Sequence, residues 1–107
     1  MKYSIFIHPI SKNSSANYHA IKFVRAVLNK KHKITSVFFY GYAVKYAFFN
    51  DSAWQKIAEQ HVSLIACSTI AESYQLNGHQ PVSYFHLHGL GQWMESILDS
   101  DKRIEFL

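Results

Sequence analysis

Two hydrophobic periodicities alternate along the chain of 107 residues. Short runs of apolar and β-branched residues predict buried strands, and the segments between them place apolar residues at the spacing of a helix. The strands are expected at 2–8, 34–40, 62–67, 82–88 and 103–106, and the helices at about 16–31, 53–61, 69–76 and 90–98. This alternation predicts an α/β fold, a three-layer α/β/α domain with a mainly parallel sheet of about five strands.

Length and composition favour a single domain, part of whose apolar surface is covered by another subunit. Domains commonly contain about 100–150 residues, so residues 1–107 are expected to form a single domain. A chain of this size buries roughly two-thirds of its unfolded surface, enough for a core without disulfides or a metal. Charged residues make up 17% of the sequence, against roughly 25% in typical soluble proteins. This low charge, with 16% aromatic residues, indicates that another subunit covers some apolar surface.

The segment from Tyr42 to Phe49 carries too many large apolar groups for an exposed loop. Two interpretations stay open: a short helix whose aromatic residues pack beneath the sheet, or a subunit interface. The polar residues that follow, including Asp51, are suitable caps for the next helix. Trp54 in that helix is predicted to lie in the core.

Charge and cysteine content indicate the compartment. The formal net charge is +4, and the only basic cluster, at residues 30–33, follows a predicted helix. That cluster fits a solvated helix end, with a patch for tRNA or an acidic partner as the alternative. A single cysteine excludes an intrachain disulfide, and the N-terminal apolar run is too short for a signal peptide. No stretch approaches the roughly 18 apolar residues of a membrane span, so we expect a cytoplasmic protein.

Cys67 is the principal candidate for chemistry. It ends the apolar run of the third strand, and Thr69 with Glu72 forms a capping-box pattern that predicts a helix start directly after it. Ligands gather at the carboxyl ends of parallel strands, and a helix start favours thiolate over thiol. The alternative is a buried cysteine that acts as a small hydrophobic residue. No second cysteine is present, so the thiol could be a nucleophile with a histidine partner, a redox sensor or a group carrier.

Histidines and glycines near the C-terminus offer weaker signals. His86 and His88 alternate on one strand and point to the same face, but no second ligand pair with suitable spacing accompanies them, so no metal site is predicted. A supporting role near the thiol, or a simple hydrogen bond at the strand end, are the alternatives for His88. Gly89 and Gly91 open a helix and could hold an anion, but Met94 breaks the dinucleotide-binding pattern. No cofactor is expected.

Several motifs, taken together, resemble those of a known family. They are Ser14-Ser15-Ala16, the strand at 36–40, the strand that ends at Cys67, Gly89-Leu90-Gly91 and the terminal segment at 101–106. In this order and spacing they are similar to the DsrE/TusD family of sulfur-relay proteins, over nearly the whole chain. The strand-end cysteine separates the chain from the TusB and TusC types.

The resemblance implies a cytoplasmic bacterial protein that carries sulfane sulfur as a persulfide on Cys67, the only catalytic residue that carries over. A TusA-like donor would supply the sulfur and a TusE-like acceptor would receive it, for 2-thiolation of the wobble uridine of tRNA. It also implies assembly with TusB- and TusC-like subunits or with copies of itself, with no membrane contact and no direct contact with nucleic acid. The chain departs from the family by being shorter, mainly between Tyr40 and Trp54, and by carrying His88 where a small residue is expected.

Two other functions remain as alternatives. The chain could be a non-catalytic assembly subunit, with a buried Cys67 and with the segment Tyr42–Phe49 bound to partners. It could also be a small flavodoxin-like ligand binder that uses Gly89 to Gly91.

Overall fold

The computed structural model describes residues 1–76 and 78–107, and its strands and helices follow the predicted order. The strands are β1 (Lys2–Ile7), β2 (Lys33–Phe39), β3 (Leu64–Cys67), β4 (Phe85–His88) and β5 (Lys102–Phe106). The helices are α1 (Ala16–Asn29), the 3₁₀ helix (Gly41–Phe48), α2 (Ser52–Ala58), α3 (Ser68–Ser73) and α4 (Leu90–Leu98). None of the helices in the described residues combines the length and the hydropathy needed to cross a bilayer.

The five strands form one sheet in the order β4-β3-β2-β1-β5, and every neighbouring pair is parallel. The strand order was not predicted, but the predicted fold class, a three-layer α/β fold with a parallel sheet, is confirmed. The chain moves outward from β1 to β4 and then returns through α4 to place β5 on the far side of β1. This return gives α4 a face of the sheet apart from α1 and α2.

Aromatic contacts show which helices lie on which face. Trp93 of α4 packs on one face, with its ring 5.0 Å from that of Phe6 and 5.8 Å from that of Phe38. On the other face, the ring of Phe39 lies 4.9 Å from that of Trp54 in α2. Successive residues of a strand point to opposite faces, so Phe38 and Phe39 mark the two layers.

Trp54 is fully buried, which confirms its predicted place in the core. Its indole Nε1 donates a hydrogen bond of 2.8 Å to Oδ1 of Asn17 in α1. The predicted cap is also present, because Asp51 precedes α2 and its side chain accepts from the amides of Ala53 and Trp54. The same helix is shorter than predicted: it ends at Ala58, and His61 lies in the left-handed region with φ 67°.

The segment at 42–49 folds onto the chain as the 3₁₀ helix, with Ala43, Val44 and Ala47 fully buried. These three smaller residues pack beneath the sheet, whereas the aromatic residues do so only in part: Tyr42, Tyr46 and Phe48 are half-buried and Phe49 is 49% exposed. Gly41 begins the helix with φ +59°, which an L side chain rarely adopts. A Cβ on Gly41 would stand 2.9 Å from the ring of His8, so a larger residue here would also push that ring aside.

Helix α4 matches its predicted periodicity but buries only part of its apolar face. Trp93 is 5% exposed, whereas Leu90, Met94 and Leu98 are 48%, 57% and 85% exposed. Helical spacing predicts which side of a helix is apolar. In α4, however, only the Trp93 side of that apolar face packs on the sheet. The exposed row runs along the helix at intervals of four residues.

The fourth strand is shorter than the predicted strand at 82–88. The fourth strand begins at Phe85, because residues 83–84 form a turn before it. The Tyr84 hydroxyl in that turn accepts a hydrogen bond of 2.8 Å from the Asp51 amide. The predicted turn at Asn77-Gly78 includes Asn77, which lies outside the described residues.

Candidate functional site

Cys67 lies at the carboxyl end of β3, as predicted, and is at the same time the N-cap of α3. The predicted capping box is wrong. Because α3 begins at Ser68 without an intervening loop, Thr69 already lies in the first helical turn and cannot cap it. The Cys67 side chain accepts no capping hydrogen bond from the amides of α3, all of which are described, and α3 has only six residues.

The topology places Cys67 at a crevice of the sheet. Helix α3 leaves β3 and packs against the 3₁₀ helix, on the face that carries α2, whereas α4 leaves β4 toward the opposite face. Adjacent strands whose connections diverge in this way leave an opening at their carboxyl ends, where α/β proteins bind ligands. By this rule the expected ligand-binding edge lies at the ends of β3 and β4, at Cys67 and His88.

Strand register aligns four side chains along this edge of the sheet. Ile7 pairs with Phe39, and Phe39 pairs with Ala66, so the following residues His8, Tyr40 and Cys67 stand side by side. The fourth is His88, the register partner of Cys67. Together these four residues form what we call the carboxyl-edge row. The ring centroids of His8 and Tyr40 are 4.9 Å apart.

Exposure differs sharply within the carboxyl-edge row. Cys67 is 1% exposed, His88 is exposed, and His8 and Tyr40 are half-buried. The thiol is therefore at the predicted place in the fold but is closed to solvent. The sequence left burial open as the alternative to a reactive thiol, and the structure shows a buried side chain, because the fold brings other residues over the strand end.

The two histidines of β4 share a face, as their alternation predicts. The ring centroids of His86 and His88 are 6.2 Å apart, and the planes of the two rings are inclined by 27°. Within residues 1–76 and 78–107, no third His, Cys, Asp or Glu joins such a pair in a group that could hold a metal ion. The predicted proximity of His88 to the thiol is present in the register, though no hydrogen bond links the two among the described contacts.

Gly89 and Gly91 begin α4 as predicted, with Gly89 as its N-cap. A Cβ at either position would meet no described atom within 4 Å. In nucleotide-binding loops, glycine is necessary because the backbone approaches other atoms closely. The backbone at Gly89 and Gly91 makes no such approach.

The structure also contains a cavity that the sequence does not indicate. A cavity of about 220 Å³ lies at the carboxyl end of β1, between the start of α1 and the 3₁₀ helix. Its lining includes Lys12, Asn17, Lys45 and Tyr46 and does not include Cys67. The two walls are about thirty residues apart in the chain, so no local motif marks them.

The fold and this edge define a class: a small doubly wound α/β domain with one cysteine at the point where the connections diverge. Residues 1–106 match the model of the DsrE/DsrF-like family, and the chain belongs to that family. It is 30% identical to the "Sulfurtransferase TusD homolog" of Pasteurella multocida (strain Pm70), an alignment that covers 95% of this chain and 97% of the relative. It is also 30% identical to "Sulfurtransferase TusD" of Salmonella enteritidis PT4, over 99% of this chain and 100% of the relative.

Solved structures share the fold. The ychN protein from E. coli has a TM-score of 0.82 at 11% identity, covering 98% of this chain and 97% of its own. A protein of unknown function from Methanobacterium thermoautotrophicum has a TM-score of 0.81 at 16% identity, covering 97% of each chain. The alignment with the Salmonella relative has 128 positions, more than this chain has residues, so that relative contains residues without a counterpart here.

Proposed function

We propose that this protein is a sulfur carrier that accepts sulfane sulfur as a persulfide on Cys67 and passes it along a relay. One observation carries the proposal: the only cysteine stands at the divergence of β3 and β4, in a chain whose relatives are named sulfurtransferase TusD. A carrier needs one thiol, since the thiol that takes the sulfur away belongs to the next protein.

The transfer step is a thiol–persulfide exchange. The Cys67 thiolate attacks the outer sulfur of a donor persulfide, R–S–SH. A bond forms between Cys67 Sγ and that sulfur, the donor sulfur–sulfur bond breaks, and the donor leaves as the thiolate R–S⁻. Cys67 then carries –S–SH, with the proton still on the outer sulfur, and no external oxidant or reductant is consumed. The reverse exchange with an acceptor thiol empties Cys67 again.

Because Cys67 is buried, the access of a donor to its sulfur is controlled. With 1% of Cys67 exposed, a donor reaches the sulfur only after the carboxyl-edge row opens, through local motion or through docking of the donor. His88 lies at the exposed side of the row and is the first side chain that an approaching donor would meet. A closed resting state would also protect a bound persulfide from other thiols.

The names of the relatives support a sulfur-relay role, and the partners that we propose for it are those that the family resemblance implies. A TusA-like protein donates the sulfur and a TusE-like protein accepts it, in the cytoplasm, and the sulfur serves 2-thiolation of the wobble uridine of tRNA. The carrier itself needs no cofactor and makes no direct contact with tRNA.

The same proposal includes an assembly, with TusB- and TusC-like subunits or with copies of this chain. The exposed row of Leu90, Met94 and Leu98 on α4 supports it, because water-exposed apolar rows of this length are commonly covered by another subunit. Light scattering of the chain alone, and mixed with TusB- and TusC-like chains, tests the assembly. Met94→Glu should reduce the measured mass, whereas Ile10→Glu, at an exposed apolar residue outside α4, should not.

Transfer of radiolabelled sulfur from a persulfide-loaded TusA-like donor tests the carrier function. We expect the wild-type chain to take up label and then to deliver it to a TusE-like acceptor. Cys67→Ser should keep the fold, because serine is close in size, and should take up none. Label that stays on the folded Cys67→Ser variant would refute the assignment.

A second candidate function is a non-catalytic assembly subunit, which the 1% exposure of Cys67 favours. Alkylation of the native chain with iodoacetamide separates the two functions. A carrier opens and therefore reacts at a measurable rate, and this rate should increase when the donor is added. A structural cysteine reacts only after denaturation.

A further inference from the structure

The cavity at the carboxyl end of β1 is enclosed by two segments, residues 9–17 and residues 42–49. Its volume of about 220 Å³ is below the roughly 300–1,000 Å³ of pockets for drug-sized ligands. It therefore has room for one ring and one small charged group. Cavities at the carboxyl ends of parallel strands are common binding sites, and the lining of this one includes no residue of the carboxyl-edge row.

The charges around the cavity are positive. Lys12 and Lys45 both line it, and no carboxylate does so among the described residues. The Asp51 carboxylate acts on the adjoining Tyr46, where it adds to burial in raising the tyrosine pKa. That carboxylate is engaged elsewhere, because it accepts hydrogen bonds from the first amides of α2.

The neutral polar groups of the lining present donors. Asn17 uses Oδ1 to accept from the Trp54 indole, which leaves its amide hydrogens free to face the cavity. Ser14 Oγ accepts from the Ala16 amide at 3.1 Å, so its hydroxyl hydrogen is available to a ligand. The Tyr46 hydroxyl is protonated at neutral pH, as that of an ordinary tyrosine is, and it can donate to a ligand.

The remaining lining is aromatic. Tyr42, Tyr46 and Phe49 contribute rings, and those of Tyr46 and Phe49 lie 5.4 Å apart. Phe49 is 49% exposed, so its ring has a free side toward the cavity mouth. A flat ligand ring can pack there by the offset or edge geometry that aromatic pairs prefer.

We propose that this cavity binds a small aromatic phosphate, with the phosphate between Lys12 and Lys45 and the ring against Phe49. Two lysines match the double charge of a phosphate monoester, and Ser14 and Asn17 supply hydrogen bonds to its oxygens. The start of α1, whose first turn has no acidic residue, adds a positive end on the same side. The binding is separate from sulfur transfer and stands whether or not Cys67 carries sulfur.

Calorimetric titration of the full chain with three probes tests the proposal: phenyl phosphate, inorganic phosphate and phenol. We expect saturable binding of one phenyl phosphate per chain, at least several-fold weaker binding of inorganic phosphate, and none of phenol. Absence of saturable binding of phenyl phosphate at millimolar concentration would overturn the site. Equal affinity for inorganic phosphate would overturn the aromatic part of the ligand class.

Lysine variants locate the binding. The double variant Lys12→Ala/Lys45→Ala should bind phenyl phosphate about a hundredfold more weakly, since each lysine contributes roughly tenfold. Lys22→Ala is the matched control. Lys45 Nζ lies 5.9 Å from the centroid of the Tyr42 ring, and Lys22 is likewise an exposed lysine over a tyrosine ring, that of Tyr18, but does not line the cavity. An equal loss in the control, or no loss in the double variant, would place the binding elsewhere.

Discussion

Cys67 and His88 are register partners on adjacent strands, yet the thiol is buried and the imidazole is exposed. Both lie where the chain leaves the sheet toward opposite faces. His88 is therefore the exposed neighbour, across the strand pair, of the buried Cys67.

The first prediction follows from this neighbour relationship. His88→Ala should increase the rate at which iodoacetamide alkylates Cys67 in the native chain by several-fold, because truncation removes cover from the thiol. Intact mass measured against time gives the rate. His79→Ala, at an exposed histidine outside β4, is the control. An unchanged rate in His88→Ala would mean that other side chains close the site.

A second prediction concerns Gly41. Gly41→Ala should lower the free energy of unfolding by about 1–2 kcal/mol, since alanine at φ +59° is strained. The new Cβ would also press on the His8 ring, which can shift. Gly91→Ala is the matched control: it lies in helix α4 with open space around it and should be neutral or stabilising by up to about 1 kcal/mol. Urea denaturation distinguishes them, and equal values for the two variants would refute the argument.

A third prediction tests the link between α1 and α2. Asn17→Ala removes the acceptor of the Trp54 indole and leaves a buried donor without its partner. The expected cost is about 1–3 kcal/mol of unfolding free energy. His19→Ala, at an exposed position of the same helix, should change stability little. If both variants unfold at the same urea concentration, the hydrogen bond does not stabilise the fold.

The fourth prediction concerns alkaline pH. Burial raises the pKa of Tyr46 above its ordinary value of 10.0, and the Asp51 carboxylate raises it further. The folded chain therefore holds this proton more tightly than the unfolded chain does. The stabilisation is complete below about pH 10 and is lost as the pH rises through the folded-state pKa. As the pH rises from neutral through the folded-state pKa of Tyr46, the free energy of unfolding should fall less in Tyr46→Phe than in the wild type. An equal loss in both proteins would contradict the assignment.

Strand positions could be predicted because buried strands and amphipathic helices leave different periodicities. The pattern located the end of β3 at Cys67 and the cap at Asp51, where one local preference dominates. It misplaced the start of α3, because Thr69 and Glu72 have the right spacing for a capping box but the chain turns into the helix two residues earlier.

Properties that depend on distant residues could not be predicted. The burial of Cys67 and the exposure of Met94 are set by which elements the fold brings over them. The cavity combines Lys12 with Lys45, which are far apart in the chain and carry no motif. The sequence predicts that His88 lies near the thiol, but the register that pairs it with Cys67 depends on the strand order.

The most direct test of the central claim is the intact mass of the chain after incubation with a persulfide-loaded donor, with and without a reducing agent. Our account predicts a gain of one sulfur atom that localises to Cys67, disappears on reduction and is absent in Cys67→Ser. No gain, in a chain whose thiol also stays unreactive until denatured, would contradict the carrier function and leave the assembly subunit as the account of this fold.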